Sequence, residues 1–179
     1  NNTESNVKVT IFQGLPKADK LELVIQKSVE LGAYDITPLQ MKRCVVKLNE
    51  KDKLKKIQRW QKISEVAAKQ CGRNIIPKIN NIVNVKEVCN LCNEYDIVLI
   101  AYENEKENTL KKELKNLKKL DKEEIKVAVI IGPEGGIAPE EIEMFEENGA
   151  KIITLGNRIL RTETVALSVL SIIMYELEK

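Results

Sequence analysis

The sequence predicts an α/β domain, a mostly parallel sheet with helices on both faces, and three observations carry that prediction. Short apolar runs, Val127 to Ile131 and DIVLIA at Asp96 to Ala101, have the length and the continuous hydrophobicity of buried parallel strands. They alternate with amphipathic helical stretches about five or six times along the chain. Two of the apolar runs pass straight into glycine, at Gly132-Pro133-Glu134-Gly135-Gly136 and at Gly156. In open sheets of this kind, ligands bind in the crevice outside the strand C-termini.

In chain order, Val7, Val9 and Ile11 alternate with polar residues, as in a half-buried strand. Gly14-Leu15-Pro16 turns the chain, and Asp19 is a candidate N-cap for a helix burying Leu21, Val24, Ile25, Ser28 and Leu31, closed by Gly32. Tyr34 to Leu39 and Cys44 to Lys47 read as the next two strands. Glu50 to Gln70 is a long amphipathic helix with Leu54, Ile57, Trp60, Ile63 and Ala67 on its apolar side. Its other faces are rich in lysine, which fits either a solvated face or a phosphate-facing patch. Pro77 to Val83 is extended, and Val85, Val88 and Leu91 mark a short helix. Asn104 to Glu124, rich in Lys and Glu, reads as an exposed crossover helix. Pro139-Glu140-Glu141 opens another helix, which Asn148-Gly149 closes, and Ile152 to Leu155 is a strand. The last helix, Glu163 to Leu177 with Thr162 as candidate N-cap, is apolar around most of its circumference and is a candidate for a subunit interface.

The 179 residues suit one domain, and 43% hydrophobic content supports a sizeable core. A net charge of +2 does not announce a nucleic-acid partner, so any basic surface must come from clustering. There is no histidine, which removes the commonest general base and metal ligand and leaves carboxylates, Arg, Lys, hydroxyls or a cofactor. Cys89-x-x-Cys92 has no second pair to complete a metal set, and no metal site is expected. The start NNTESN is polar and lacks Met, as in a processed or partial chain, and a reduced, cytoplasmic setting is the default expectation. IIGPEGG matches neither the dinucleotide nor the P-loop fingerprint. Gly156 to Thr164 places two cations, a carboxylate and two hydroxyls between a strand end and a buried helix. Each of these segments alone fits a plain turn or helix cap.

Together, VIIGPEGGIAPEEIE and LGNRILRTETVAL closely resemble the RsmE family of 16S ribosomal RNA uridine-N3 methyltransferases, of the SPOUT superfamily. LPKADKLELVIQKSVELG, PLQMKRCVVK and RWQKISEVAAKQCGR extend the resemblance over nearly the whole chain. It implies a C-terminal trefoil knot, which general topology rules argue against, and S-adenosylmethionine as cofactor. The implied cofactor loops are Ala101, Tyr102 and Glu103; Ile131, Gly132, Pro133, Gly135 and Gly136; and Leu155, Gly156, Ile159 and Leu160. Arg161 is expected to stabilise a developing uridine anion, with Glu163 as proton acceptor or as the group that fixes Arg161. Lys20, Lys27, Arg43, Arg59, Arg73 and Arg158 are expected on the RNA. The resemblance also implies a homodimer acting on the small ribosomal subunit. Residues 1–179 would be the catalytic domain, without the family's N-terminal PUA-like barrel. Ala138 stands where the family usually has a hydroxyl that caps the next helix. Rival readings are a non-catalytic RNA-binding module of this fold, a related enzyme acting on transfer RNA or a ribose hydroxyl, and a generic nucleotide-binding domain.

Overall fold

The structure, a computed structural model, describes residues 3–179. Its seven strands, β1 (Val7–Gly14), β2 (Asp35–Gln40), β3 (Lys78–Ile79), β4 (Val83–Asn84), β5 (Ile97–Ala101), β6 (Ile125–Ile131) and β7 (Lys151–Ile153), form one sheet. The order is β3-β2-β1-β6-β5-β7, with β4 also on β2, and every pairing is parallel. Val127 to Ile131 of β6 are at most 2% exposed, which explains the unbroken apolar run: the strand has a neighbour on each side and a helix layer on each face.

Six helices cover the sheet: α1 (Lys20–Glu30), α2 (Glu50–Gln70), α3 (Val85–Leu91), α4 (Leu110–Lys118), α5 (Pro139–Glu147) and α6 (Thr162–Leu177). One layer joins α2 to α1, α1 to α6 and α6 to α4, while α3 packs on α5. Asn84 and Glu87 form a reciprocal capping box that starts α3. The thiols of Cys89 and Cys92 are buried in and just after α3; burial pushes both up, Cys92 to about 11 with the neighbouring Cys89 adding to the effect. Neither is therefore a thiolate at neutral pH.

Three local expectations are corrected. Cys44 to Lys47 is a loop, since both edges of β2 are already occupied by β1 and by β3 and β4; Val45 points out, 69% exposed. The crossover helix shrinks to α4, because Glu105 Oε1 accepts from the N–H groups of Lys106, Glu107 and Asn108 and folds the preceding stretch into a turn. Leu54 of α2 is 63% exposed, so the side of that helix packed on the core begins at the partly buried Ile57 and is fully buried from Trp60.

Arg73, expected on RNA, is also placed otherwise. Its side chain is 7% exposed, pairs with Glu4 at 2.6 Å and donates to the carbonyls of Ala33 and Val29. It ties the turn after α2 to the segment before β1 and to the end of α1. Arg73→Ala takes the paired charge from the Glu4 carboxylate, which keeps the N–H groups of Asn74 and Ile75, and is expected to lower stability by about 2 kcal/mol, read from the denaturant midpoint. Burial pushes the Glu4 carboxyl up, but hydrogen bonding and charge from Arg73 and the N–H groups of Asn74 and Ile75 outweigh this and hold it below 4.5. Its stabilisation is therefore complete above that value and is lost as pH falls through the folded value. Glu4→Gln should flatten that acid limb.

Candidate active site

The register of the sheet builds the site. Ala101 lies opposite Ile131 on one side and Ile153 on the other, and Gln13 lies opposite Ile131, so four strands end at one level. The loops leaving β5, β6 and β7 enclose a cavity of about 450 Å³, within the range of roughly 300–1,000 Å³ usual for ligand sites.

Every residue expected at the cofactor lines this cavity: Ala101, Tyr102 and Glu103 from the first loop, Ile131, Gly132, Pro133, Gly135 and Gly136 from the second, and Leu155, Gly156, Ile159 and Leu160 from the third. Lys20, Arg158, Arg161 and Glu163 line it as well. The loops hold one another through backbone bonds, Tyr102 N–H to the Ile153 carbonyl at 3.1 Å and Thr154 N–H to the Asn108 carbonyl at 2.8 Å. Asn108 Nδ2 adds bonds to the Ile152 carbonyl and to Glu113. Pro133 to Gly136 closes as a turn with a 2.9 Å bond, and Gly136 has φ +74°, a value that favours glycine. Gly156, at φ +108°, has open space where a side chain would begin, so main chain faces the cavity there.

A buried relay fixes the floor. Thr162 does not cap α6; Arg161 stands at the N-cap without a side-chain bond. Instead Thr162 Oγ1 donates to the Gly132 carbonyl at 2.7 Å and accepts from Gln13 Nε2 at 2.8 Å. Gln13 is fully buried and donates also to the Gly14 carbonyl. One hydroxyl thus joins the ends of β1 and β6 to the start of α6, between Arg161 and Glu163. Gly14 is needed beside it, because a Cβ there would lie 2.7 Å from Pro133 N and Cδ. Sequence reasoning missed Gln13, which carries no local signal, and read Gly14 only as part of a turn; both meet their partners across the sheet.

Glu163 Oε2 is buried with no hydrogen-bond partner among the described residues, while Arg161 is exposed at the rim. No ion pair joins the two among the described residues, so Glu163 does not fix Arg161 through a salt bridge. Lys20 pairs with Glu134 at 3.0 Å, and Glu134 also accepts from Lys17 N–H. Arg43 lies just outside the cavity and donates from Nη1 to the Gly135 carbonyl at 3.2 Å. Lys27 and Arg59 are away from it, paired with Glu30 and Glu22 along the helices. At α5, Ala138 offers no cap; Glu141 accepts from Ala138 N–H at 3.2 Å and from Lys42 N–H at 2.8 Å, pinning the loop after β2 to the second cavity loop.

The model of a family described as the RNA methyltransferase domain matches residues 3–174. The chain belongs to that family. Among its relatives, ribosomal RNA small subunit methyltransferase E of Bacillus subtilis is 39% identical over 178 residues, covering 99% of this chain and 69% of the relative. The methyltransferase of the same name from Mesomycoplasma hyopneumoniae is 38% identical, covering 95% and 70%. The crystal structure of the Neisseria gonorrhoeae methyltransferase E bound to S-adenosyl methionine superposes with a TM-score of 0.83 at 29% identity, covering 98% of this chain and 69% of that one. Membership of the RNA methyltransferase family gives the cavity a class of chemistry. Among the described residues there is no cluster that could hold a metal, and no helix is long and apolar enough to cross a membrane.

Proposed function

We propose that this chain transfers a methyl group from S-adenosylmethionine to N3 of a uridine in small-subunit ribosomal RNA. The observation that carries this reading is the convergence of three loops from adjacent strand ends on one cavity that also holds Arg161 and Glu163. The residues fit the cofactor: main chain of the second and third loops offers N–H and C=O groups to adenine and ribose, with glycines at 136 and 156 leaving open room beside the backbone and those at 132 and 135 letting the second loop pack on Ile137 and Arg43. When bound, the cofactor supplies a methyl group already activated by its positive sulfur.

The protein's remaining tasks are orientation and removal of the N3 proton. Arg161, at the rim, stabilises the negative charge that develops on the uracil ring. Glu163, which lines the same cavity, accepts the proton. The N3–C bond forms as the S–C bond breaks, leaving neutral S-adenosylhomocysteine. The outer face of α6, where Ile172 is 41% and Tyr175 87% exposed, is the face we assign to a homodimer contact, and the C-terminal segment to a trefoil knot. Four free cysteines suit the reducing cytoplasm in which ribosomes work.

The test is nucleoside mass analysis of small-subunit ribosomal RNA after incubation with the chain and S-adenosylmethionine. N3-methyluridine is expected. A ribose-methylated nucleoside, or none, would overturn the assignment.

A further inference from the structure

We propose that residues 42–56 form a phosphate track that leads the RNA to the mouth of the cavity, an inference that rests on the RNA methyltransferase reading above. This stretch carries Lys42, Arg43, Lys47, Lys51, Lys53, Lys55 and Lys56 against Glu50 and Asp52, a net +5, while the other 164 residues sum to −3. The positive charge of the whole molecule is thus concentrated in one segment.

Its position ties it to the site. Arg43 Nη1 bonds the Gly135 carbonyl, and Lys42 pairs with Glu140 at the start of α5. β2 ends level with Gly14 of β1, so the loop after it and the first turns of α2 lie on the same edge of the sheet as the cavity. From Glu50 to Lys56 the helix then covers roughly 9 Å, at about 1.5 Å per residue, starting from that edge. The positive end of a 21-residue helix adds to the field, partly offset by Glu50 and Asp52.

The rest of α2 behaves differently. Arg59 is held by Glu22, Lys62 and Lys69 both by Glu65, whose carboxyl they draw down to about 2. Among the described residues, no carboxylate lies within ion-pair distance of Arg43, Lys47, Lys51, Lys55 or Lys56. Within residues 42–56 only Lys42 and Lys53 are paired, with Glu140 and Glu50, and the other five cations are left for an external anion, whereas Arg59, Lys62 and Lys69 farther along α2 are each neutralised within the protein. A merely solvated lysine face would show no such division.

The test is a salt titration of small-subunit ribosomal RNA binding by the wild-type chain, a Lys47→Gln/Lys51→Gln/Lys55→Gln variant and a Lys62→Gln/Lys69→Gln control. The triple variant should flatten the slope of log affinity against log salt by about 2 and weaken binding roughly tenfold or more at low salt. The control should change the slope by less than half as much, and both variants should keep wild-type affinity for S-adenosylhomocysteine, which reports an intact fold. An unchanged slope in the triple variant, or an equal change in the control, overturns the track. If that result comes with N3-methyluridine formed by the wild type, the methyltransferase reading stands without the track; a flattened slope without any methylated product leaves the track and removes the reading. Absence of RNA binding by the wild type overturns both.

Discussion

Arg161→Ala is expected to slow methyl transfer by roughly 10²–10³-fold at saturating cofactor and RNA, the usual consequence of removing one donor aimed at developing charge. The side chain is exposed at the cavity rim and makes no capping bond, so its loss removes no packing and should leave unfolding unchanged. Affinity for S-adenosylhomocysteine should also stay near the wild-type value, because the cofactor is held by backbone in this account. Arg161→Lys keeps the charge but not the planar fork and should recover only part of the rate. Single-turnover kinetics separate the chemical step from binding. A rate within a few fold of wild type would remove Arg161 from the mechanism and leave Glu163, with its partnerless buried oxygen, as the remaining candidate.

Gly132→Ala is expected to abolish cofactor binding through the shape of the second loop. A Cβ at this position would stand 2.7 Å from Ile137 Cγ1 and 3.2 Å from the Gly136 carbonyl carbon, and Ile137 is itself buried at 2% exposure. The conflict cannot be relieved by swinging a flexible side-chain end into solvent. The loop must move, and with it the Gly132 carbonyl that Thr162 holds at 2.7 Å. A displacement on the order of 1 Å would cost about 100-fold in rate, and because the displaced loop lines the cavity, calorimetry should find S-adenosylhomocysteine affinity lost as well. Gly135→Ala is a milder change, since a Cβ there meets Arg43 Cβ and O at 3.1 Å, where a few tenths of an ångström relieve the contact. Wild-type affinity in Gly132→Ala would mean that the loop does not shape the site.

The order of elements and the loops after β6 and β7 could be read from sequence because their signals are local: an unbroken apolar run for β6, Pro139 at the first turn of α5, glycine after β6 and β7; the role of the loop after β5 came from the family resemblance alone. The full extent of α2, Glu50 to Gln70, was also legible from its periodicity. The failures came where tertiary context decides. Cys44-Val45-Val46 has strand-forming residues but no free neighbour to pair with, so it became a loop. Thr162 looked like a helix cap, yet its hydroxyl has better partners in Gly132 and in Gln13, 149 residues away. Arg73 looked like an RNA contact, but Glu4 and two carbonyls bury it. Spacing along the chain carries no trace of such long-range pairs.

Calorimetric titration of the wild-type chain with S-adenosylhomocysteine tests the central claim most directly. The account predicts saturable binding at one site per chain, lost in Gly132→Ala and kept in Arg161→Ala. No binding by a folded chain would contradict it, because the cavity between β5, β6 and β7 would then hold something other than the methyl donor.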